Sequence, residues 1–559
     1  MGVGSASIEL ISGSAADALL ADDRFRDEWW KLAAACPWAT TFQMPGFGGC
    51  WYSVYRSEYS PLLVVARDGD GRLAGLLPLA VSTSRGELAN VGAHQSEYHC
   101  WICTPELANT FMPVAMEALR LAGHKFKLSF RYLPGGTPVE WLQQPAARRT
   151  CLLVPRRRPL IDFGNGSQLR ESMAKRSNKS RIKRLEKLGP VELKEITRPA
   201  ELEAMIDEVI LYYDSRRLAL SGSTPFATDR LKRAYHIEML KVPGLLHATA
   251  LMCGDKIASF QFNTIDGRRV MLSLITHNPL LAAHSPGKVH VMLLSKRLME
   301  QGYTGIDLTA GGDPYKERFA NAWDQVYTLD VFHSPLPMQV AAIRDGVQGR
   351  AKAVLNRWNV RPAEMKQRVL KYVRMGPIGM PIALAKHGWE RFAPAKGARI
   401  YRRDAAATAS AEGTRIRRDA IEDLMKYEPV NGGLTRHEFL SDAMRRLENG
   451  QQVYTCVENG RLLHYAWFAP EPEKDLAADA LPGFELPPRS ALIVDCYTFP
   501  LARRRGLGAA SLATILSDAA RVKDLDRTYI AVPSESDCAR RLVERAGFTY
   551  ERSCVRRAP

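Results

Sequence analysis

The sequence predicts an α/β protein made of several units, each built on a mixed, twisted central sheet, and three observations carry that prediction. The chain has 559 residues, enough for about three or four domains. Its 46% hydrophobic and 25% charged residues are ordinary for a globular protein and exclude the disordered and fibrous classes. Strand-like runs such as Leu62-Leu63-Val64-Val65-Ala66 and Leu246-His247-Ala248-Thr249-Ala250-Leu251 alternate with helical segments.

Lys plus Arg number 77 against 60 Asp plus Glu, a net charge of +17. That excess predicts an anionic partner: a phosphorylated cofactor, nucleic acid, an acidic polymer or a membrane surface. The amino terminus has no basic leader and carries Glu9 and Asp17 early, and Ala6 stands where a myristoylation pattern needs Ser or Thr. No uninterrupted apolar run reaches about 18 residues. Ten scattered cysteines fit reduced thiols. Together these features predict a cytoplasmic protein.

Composition shifts divide the chain into a unit over residues 1–153, a second over 154–333, a basic helical connector over 334–393 and a final unit over 394–559. In the first, Thr41-Phe42-Gln43-Met44-Pro45 and Trp51 precede a strand pair running into Gly71–Leu79, the opening of a sheet. His94, His99, Cys100 and Cys103 are ligand types for zinc, but there is one Cys-x-x-Cys and its Trp101-Ile102 centre reads as buried strand, so no metal site is predicted. Pro155-Arg156-Arg157-Arg158-Pro159 reads as an exposed connection to the second unit.

The second unit opens on a basic helix, Leu169–Leu188, with Lys175, Arg176, Lys179, Arg181, Lys183, Arg184 and Lys187. Such a cluster either neutralises phosphates or forms a solvated face. A helix over Glu201–Leu220 and strands over Leu246–Ile275 follow. Ser285 is an N-cap and Pro286 a first-turn proline for a helix through Val289, Met292, Leu293 and Leu298, with His284 and Lys288 at a start able to meet an anion. Ile306-Asp307-Leu308 then reads as a strand leading to Gly311-Gly312-Asp313-Pro314-Tyr315-Lys316.

On Thr41-Phe42-Gln43, Ser285-Pro286-Gly287 and the Asp307…Gly312…Tyr315-Lys316 tail, residues 40–333 resemble the CelD/BcsL-type acetyltransferases, relatives of the Fem aminoacyl transferases with two GNAT-like units in tandem. The resemblance places the reactive groove in the second unit, with Asp307, Tyr315 and Lys316 as its catalytic candidates. In chemical terms Lys316 can bind a carboxylate or phosphate and Tyr315 can donate or accept a proton. Packing for Tyr315 and solvation for Lys316 are the structural alternatives.

The connector sets Arg350, Lys352, Arg357, Lys366, Arg368, Lys371 and Arg374 beside Val354, Leu355, Trp358, Val369 and Leu370. A basic amphipathic helix of this kind packs between domains or lies on an anionic membrane surface, here peripheral to an inner membrane and near a polysaccharide synthase.

In the last unit, Thr435-Arg436-His437-Glu438 is a capping box, and Asn459-Gly460 is a tight hairpin turn between Gln452–Val457 and Leu462–Phe468. The strand Ala491–Thr498 enters Arg503-Arg504-Arg505-Gly506-Leu507-Gly508, which opens a helix. Glycines admit close backbone approach, free N–H groups and the helix dipole favour negative charge, and the arginines bond phosphate oxygens, so the corner suits a pyrophosphate.

This pattern, with Arg503, Gly506 and Gly508 at its marked positions and Gly547-Phe548 closing the last helix, resembles the acetyl-CoA-binding segment of the GNAT acyltransferase superfamily. The resemblance implies a cofactor-binding set of Tyr497, Thr498, Arg503, Arg504, Arg505, Gly506, Leu507, Gly508 and Ser536, the last standing where the family often has Asn. Val543 replaces a tyrosine that many members carry as general acid, leaving Tyr497, Tyr529 and Tyr550 as alternatives. Asp495, late on the strand, is a candidate base for the acceptor.

The fold expected is therefore tandem GNAT-like units, a helical connector and a third GNAT domain. The expected function is transfer of an acyl group, most simply acetyl from acetyl-CoA, to an amine or hydroxyl of a sugar, polysaccharide or cell-envelope precursor. A Fem-type aminoacyl-tRNA-dependent transferase and a non-catalytic CoA-binding module are the alternatives. The second unit lacks a long heptad arm, which argues against tRNA as partner, while its basic helix leaves that option open.

Overall fold

The structure, a computed structural model, describes residues 2–3, 6–164, 171, 175–312, 314–341, 396–404, 415–430, 433–481 and 483–556. Most of the predicted basic connector thus lies outside the described residues. The chain divides into two compact units, one of Met1–Asp207, Thr228–Thr276 and Gly287–Val354, the other of Glu208–Ala227, His277–Pro286 and Leu355–Pro559.

The first unit holds two sheets. One runs in the order β1 (Gly2–Val3), β2 (Ala6–Ser12), β3 (Tyr59–Arg67), β4 (Leu73–Ser82) and β5 (Leu88–Asn90), with β6 (Ile102–Cys103) also paired to β4. Strands β3 and β4 are buried on both faces, which is why they read as continuous apolar runs without alternation. Thr41–Gln43 is a short 3₁₀ turn closed by a capping box from Thr40 and Gln43.

The second sheet has eight strands: β7 (Lys127–Leu133), β8 (Cys151–Asp162), β9 (Val191–Ile196), β10 (Leu246–Cys253), β11 (Lys256–Asp266), β12 (Arg269–His277), β13 (Gly305–Asp307) and β14 (Ala322–Phe332). Their spatial order is β7-β14-β8-β13-β12-β11-β10-β9. The connection predicted at Pro155–Pro159 is corrected here: it is the middle of β8, paired with β14 from Cys151 to Leu160 and with β13 from Leu160 to Asp162. A strand absorbs two prolines when only one in two of its N–H groups faces a given neighbour, and Pro155 and Pro159, four residues apart, fall at equivalent positions of that alternation.

The other unit carries a seven-stranded sheet. Its strands are β15 (Lys396–Asp404), β16 (Arg417–Arg418), β17 (Gln452–Glu458), β18 (Arg461–Ala469), β19 (Ser490–Thr498), β20 (Arg527–Pro533) and β21 (Thr549–Arg556), in the order β16-β17-β18-β19-β20-β15-β21. The predicted hairpin turn has Asn459 and Gly460 at φ 50° and 73°, the left-handed pair that a two-residue turn requires. Thr435 accepts from the Glu438 N–H at 3.2 Å while Glu438 accepts from the Thr435 N–H at 2.8 Å, starting the helix Arg436–Glu448. The predicted helix over Asp419–Tyr427 is shorter, Ile421–Leu424. One apolar core, including Ile493, Leu512, Ile515, Leu516, Ile530, Val532 and Val543, packs the helix Leu507–Ala519 on the sheet.

Candidate functional site

Strands β19 and β20 run parallel, but their ladder covers only Ser490–Ile493 against Arg527–Ile530. Both strands continue, to Thr498 and Pro533, so the sheet opens there. On the other side of β19 the register with β18 slips between Tyr465 and Trp467, leaving Asp495 and Cys496 in a bulge. Asp495 adopts φ 49°, a left-handed value that a carboxylate residue tolerates better than most. Its side chain, 55% exposed, pairs with Arg446, which also binds Asp442 at 2.6 Å and lies over the Trp467 ring.

Beyond β19, Pro500–Ala502 forms one 3₁₀ turn and the chain enters the arginine corner. Arg504 and Gly506 are left-handed, at φ 65° and 76°, and residues 503–506 are exposed. The helix Leu507–Ala519 has Gly506 as N-cap, and no side chain caps it. Its first backbone bond is Ala510 N–H to Gly506 O, which leaves the preceding amides of the first turn without an intrahelical acceptor. A Cβ at Gly506 would meet nothing within 4 Å, so glycine is there for its backbone angle; at Gly508 it would lie 3.1 Å from Leu542, a close helix–helix approach.

The other residues of the expected cofactor set take defined places. The Thr498 hydroxyl lies 2.8 Å from His464 Nδ1, and its carbonyl accepts from Arg503 Nε at 3.5 Å. Arg505 turns to Glu458 at 2.6 Å. Tyr497 lies across from Tyr465, ring centres 5.5 Å apart, and leads to Phe499 and Tyr427. Leu507 is buried in the core, and Ser536 caps the helix Asp537–Arg545 by accepting from the Ala539 N–H. Tyr529 is buried in a separate apolar cluster with Ile400 and Leu492, its ring against Phe484. Tyr550 is exposed.

In the first unit, Asp307 is fully buried at the end of β13. It accepts from the Tyr98 hydroxyl at 2.6 Å, from Arg158 at 3.3 Å and from the Thr309 N–H at 2.7 Å. Burial pushes its carboxyl up against these three stabilising contacts. Thr309 is left-handed at φ 59° and receives the Lys316 ammonium on its hydroxyl at 2.9 Å and its carbonyl at 3.3 Å. The structure therefore brings Asp307 and Lys316 to one buried polar centre, while Tyr315 is 37% exposed on the short helix Pro314–Phe319.

Sequence reasoning missed Arg158 and Tyr98. No local pattern marks Arg158, because Arg156 and Arg157 are both exposed whereas the Arg158 side chain is only 13% exposed and also binds Asp324. A second cationic group includes Lys288, in the first turn of the helix Pro286–Glu300. Burial, then the neighbouring charges of Arg181, Arg318 and Lys175, push the Lys288 ammonium down.

At the Cys-x-x-Cys segment, His99 is buried and its Nδ1 accepts from the Arg131 N–H at 3.1 Å. Among the described residues no group of three His, Cys, Asp or Glu side chains could hold a metal ion, and no helix is long and apolar enough to cross a membrane.

Two segments match known family profiles: residues 172–317 the acetyltransferase (GNAT) domain, and residues 418–548 the acetyltransferase (GNAT) family. Each takes in one of the centres just described, the cationic helix start with Asp307 and Lys316 in the first, the arginine corner in the second. These two segments are GNAT acetyltransferase domains, and they indicate an acyltransferase.

No curated protein matches the chain. Similar solved structures include a conserved protein of unknown function from Bacteroides thetaiotaomicron (14% identity, 56% of this chain and 97% of that one, TM-score 0.40). L-PGS from Bacillus licheniformis is 10% identical over 58% of this chain and 94% of its own, with TM-score 0.38. A tandem GNAT protein from the clavulanic acid biosynthesis pathway is 13% identical over 59% and 99%, with TM-score 0.36.

Proposed function

We propose that the protein transfers an acyl group, acetyl in the simplest case, from acyl-CoA to an amine or hydroxyl of a sugar, polysaccharide or cell-envelope precursor. The observation that carries the donor half of this reading is the exposed corner Arg503–Gly508. It is a left-handed turn with no capping side chain, opening a 13-residue helix beside the place where β19 and β20 part. Free amides and a positive helix end hold a diphosphate, Arg503 and Arg504 add charge, and the gap between the strands offers main-chain groups to an extended pantetheine-like arm. Holding a thioester and an acceptor together removes much of the entropic barrier, and N–H groups aimed at the carbonyl stabilise its oxyanion.

Asp495 in its bulge is the acceptor-side base of this domain, its partner Arg446 being shared with a second carboxylate. The first unit supports a second donor site of similar design, where the start of the helix Pro286–Glu300 meets Arg181, Arg318 and Lys175. The acceptor class rests on the CelD/BcsL-type resemblance, as does a peripheral membrane setting beside a polysaccharide synthase.

Calorimetry with acetyl-CoA tests the donor reading. Wild type is expected to bind two equivalents, Gly506→Glu one and Lys288→Glu one. Unchanged binding in Gly506→Glu overturns the carboxyl-terminal site, and unchanged binding in Lys288→Glu the other.

A further inference from the structure

We propose that His464 is a positioning residue for the donor site of the carboxyl-terminal domain: its Nδ1–H holds the Thr498 oxygen, so that the hydroxyl's own proton is presented to the donor's diphosphate. This rests on the reading that the arginine corner binds the diphosphate of an acyl-CoA.

The strands fix the placement. On β18, His464 stands opposite Cys456 of β17 and opposite Thr498 of β19, and residues directly opposite in antiparallel pairs share a face. Cys456 belongs to the core packed beneath the helix Leu507–Ala519, and so does Ala466, two residues along β18. His464 and Thr498 therefore lie on the face that this helix covers. Thr498 is the last residue of β19, and its carbonyl accepts from Arg503 Nε at 3.5 Å. Leu507, the first residue of the helix, sits in the same core. The Thr498 hydroxyl thus stands at the foot of the arginine corner, on the side of the free first-turn amides.

The ring then decides what that hydroxyl offers. His464 is fully buried, and burial alone lowers it to about 4, so at pH 7 it is neutral, with one N–H and one lone pair. Nδ1 lies 2.8 Å from the Thr498 oxygen, while Nε2 is shut off from solvent and has no hydrogen-bond partner. Hydrogen on Nε2 would leave a buried N–H with no acceptor. Hydrogen on Nδ1 leaves only an unused lone pair, and orphaned N–H groups are rarer in protein interiors than under-used acceptors.

With Nδ1 as donor, the Thr498 oxygen accepts and its own proton is free. Among the described residues that proton meets no second partner, and Thr498 is only partly buried. A phosphate oxygen at the corner completes the bond, and a bond to an ionised acceptor is stronger than a neutral one. The opposite tautomer would spend the hydroxyl proton on the imidazole and turn only lone pairs toward an anion. His464 thus supplies direction, where Arg503 and Arg504 supply charge.

The test uses the full chain carrying Lys288→Glu, so that only the carboxyl-terminal donor site counts. Calorimetry compares acetyl-CoA with 3′-phospho-ADP, which lacks the pantetheine arm. Thr498→Val is expected to weaken both ligands about 10-fold, and Thr498→Ser neither. His464→Leu is expected to weaken both by a similar factor. His464→Asn, whose amide N–H can stand in for Nδ1–H, is expected to recover most of it. The double variant His464→Leu/Thr498→Val is expected to bind no more weakly than Thr498→Val. Additive losses, or a loss confined to acetyl-CoA, overturn the proposal. Binding that survives an added Gly506→Glu counts against the donor reading alone. The ring nitrogen shifts of His464 need no ligand: they are expected to show hydrogen on Nδ1, and hydrogen on Nε2 overturns the proposal.

Discussion

The Tyr98 hydroxyl donates to Asp307 at 2.6 Å, tying the loop between β5 and β6 of the six-stranded sheet to the end of β13 in the eight-stranded one. Both partners are fully buried, and Arg158 approaches the same carboxylate oxygen at 3.3 Å. Tyr98→Phe removes one donor and is expected to cost about 1–2 kcal/mol. Asp307→Ala strands part of the Arg158 charge and is expected to cost roughly 3 kcal/mol. Urea unfolding of the two single variants and the double measures their coupling, and simple additivity contradicts this account.

Glu458 holds Arg505 at 2.6 Å and Arg415 at 2.9 Å, drawing one arginine of the corner away from any anion. Glu458→Gln is expected to tighten binding of a nucleotide diphosphate severalfold in low salt. The gain should shrink toward zero near 1 M salt, where the screening length is about 3 Å. Calorimetry at two ionic strengths checks both statements.

Thr435 satisfies the first free amide of the helix Arg436–Glu448. Thr435→Ala is expected to lower stability by about 1 kcal/mol, and Thr435→Ser to restore most of it. Equal losses in the two variants would remove the capping argument.

Burial lowers His99, His236 and His290 to about 3 and His464 to about 4. The unfolded chain, with histidines near about 6.5, takes up these protons first as pH falls, so stability drops below about pH 6.5. At pH 5 each histidine contributes a loss of about 2 kcal/mol. Burial lowers His247 and His277 as well. Glu97, Asp266, Asp307 and Asp419, all raised by burial, act in the opposite sense, because the folded state protonates them first. The six histidines outnumber these four carboxyls, and the thermal midpoint is expected to fall between pH 7 and pH 5. A midpoint that rises over that interval would show the carboxyls to dominate.

Local chemistry made much of the carboxyl-terminal domain legible. Thr435 and Glu438, Asn459 and Gly460, and Gly506 each impose one backbone geometry on their neighbours whatever lies around them. The first unit was harder to read because its decisive contacts join residues far apart in the chain, Tyr98 and Arg158 with Asp307. No periodicity within a window encodes such meetings. Prolines misled at β8, where their usual meaning as breakers yielded to a register that needs none of their missing donors. Val543, singled out for what it replaces, is simply core, 2% exposed.

The parting of β19 from β20 has a practical corollary. Where the parallel ladder stops at Ile493 and Ile530, the edges of the two strands lose each other as partners. Backbone hydrogens along that crack are open to exchange with heavy water, while those of Leu492 and Ile493 are locked by pairing on both flanks. Deuterium uptake across a single strand should therefore change abruptly within a few residues. A ligand that wedges into the crack would announce itself by erasing that step, even before its chemistry is known.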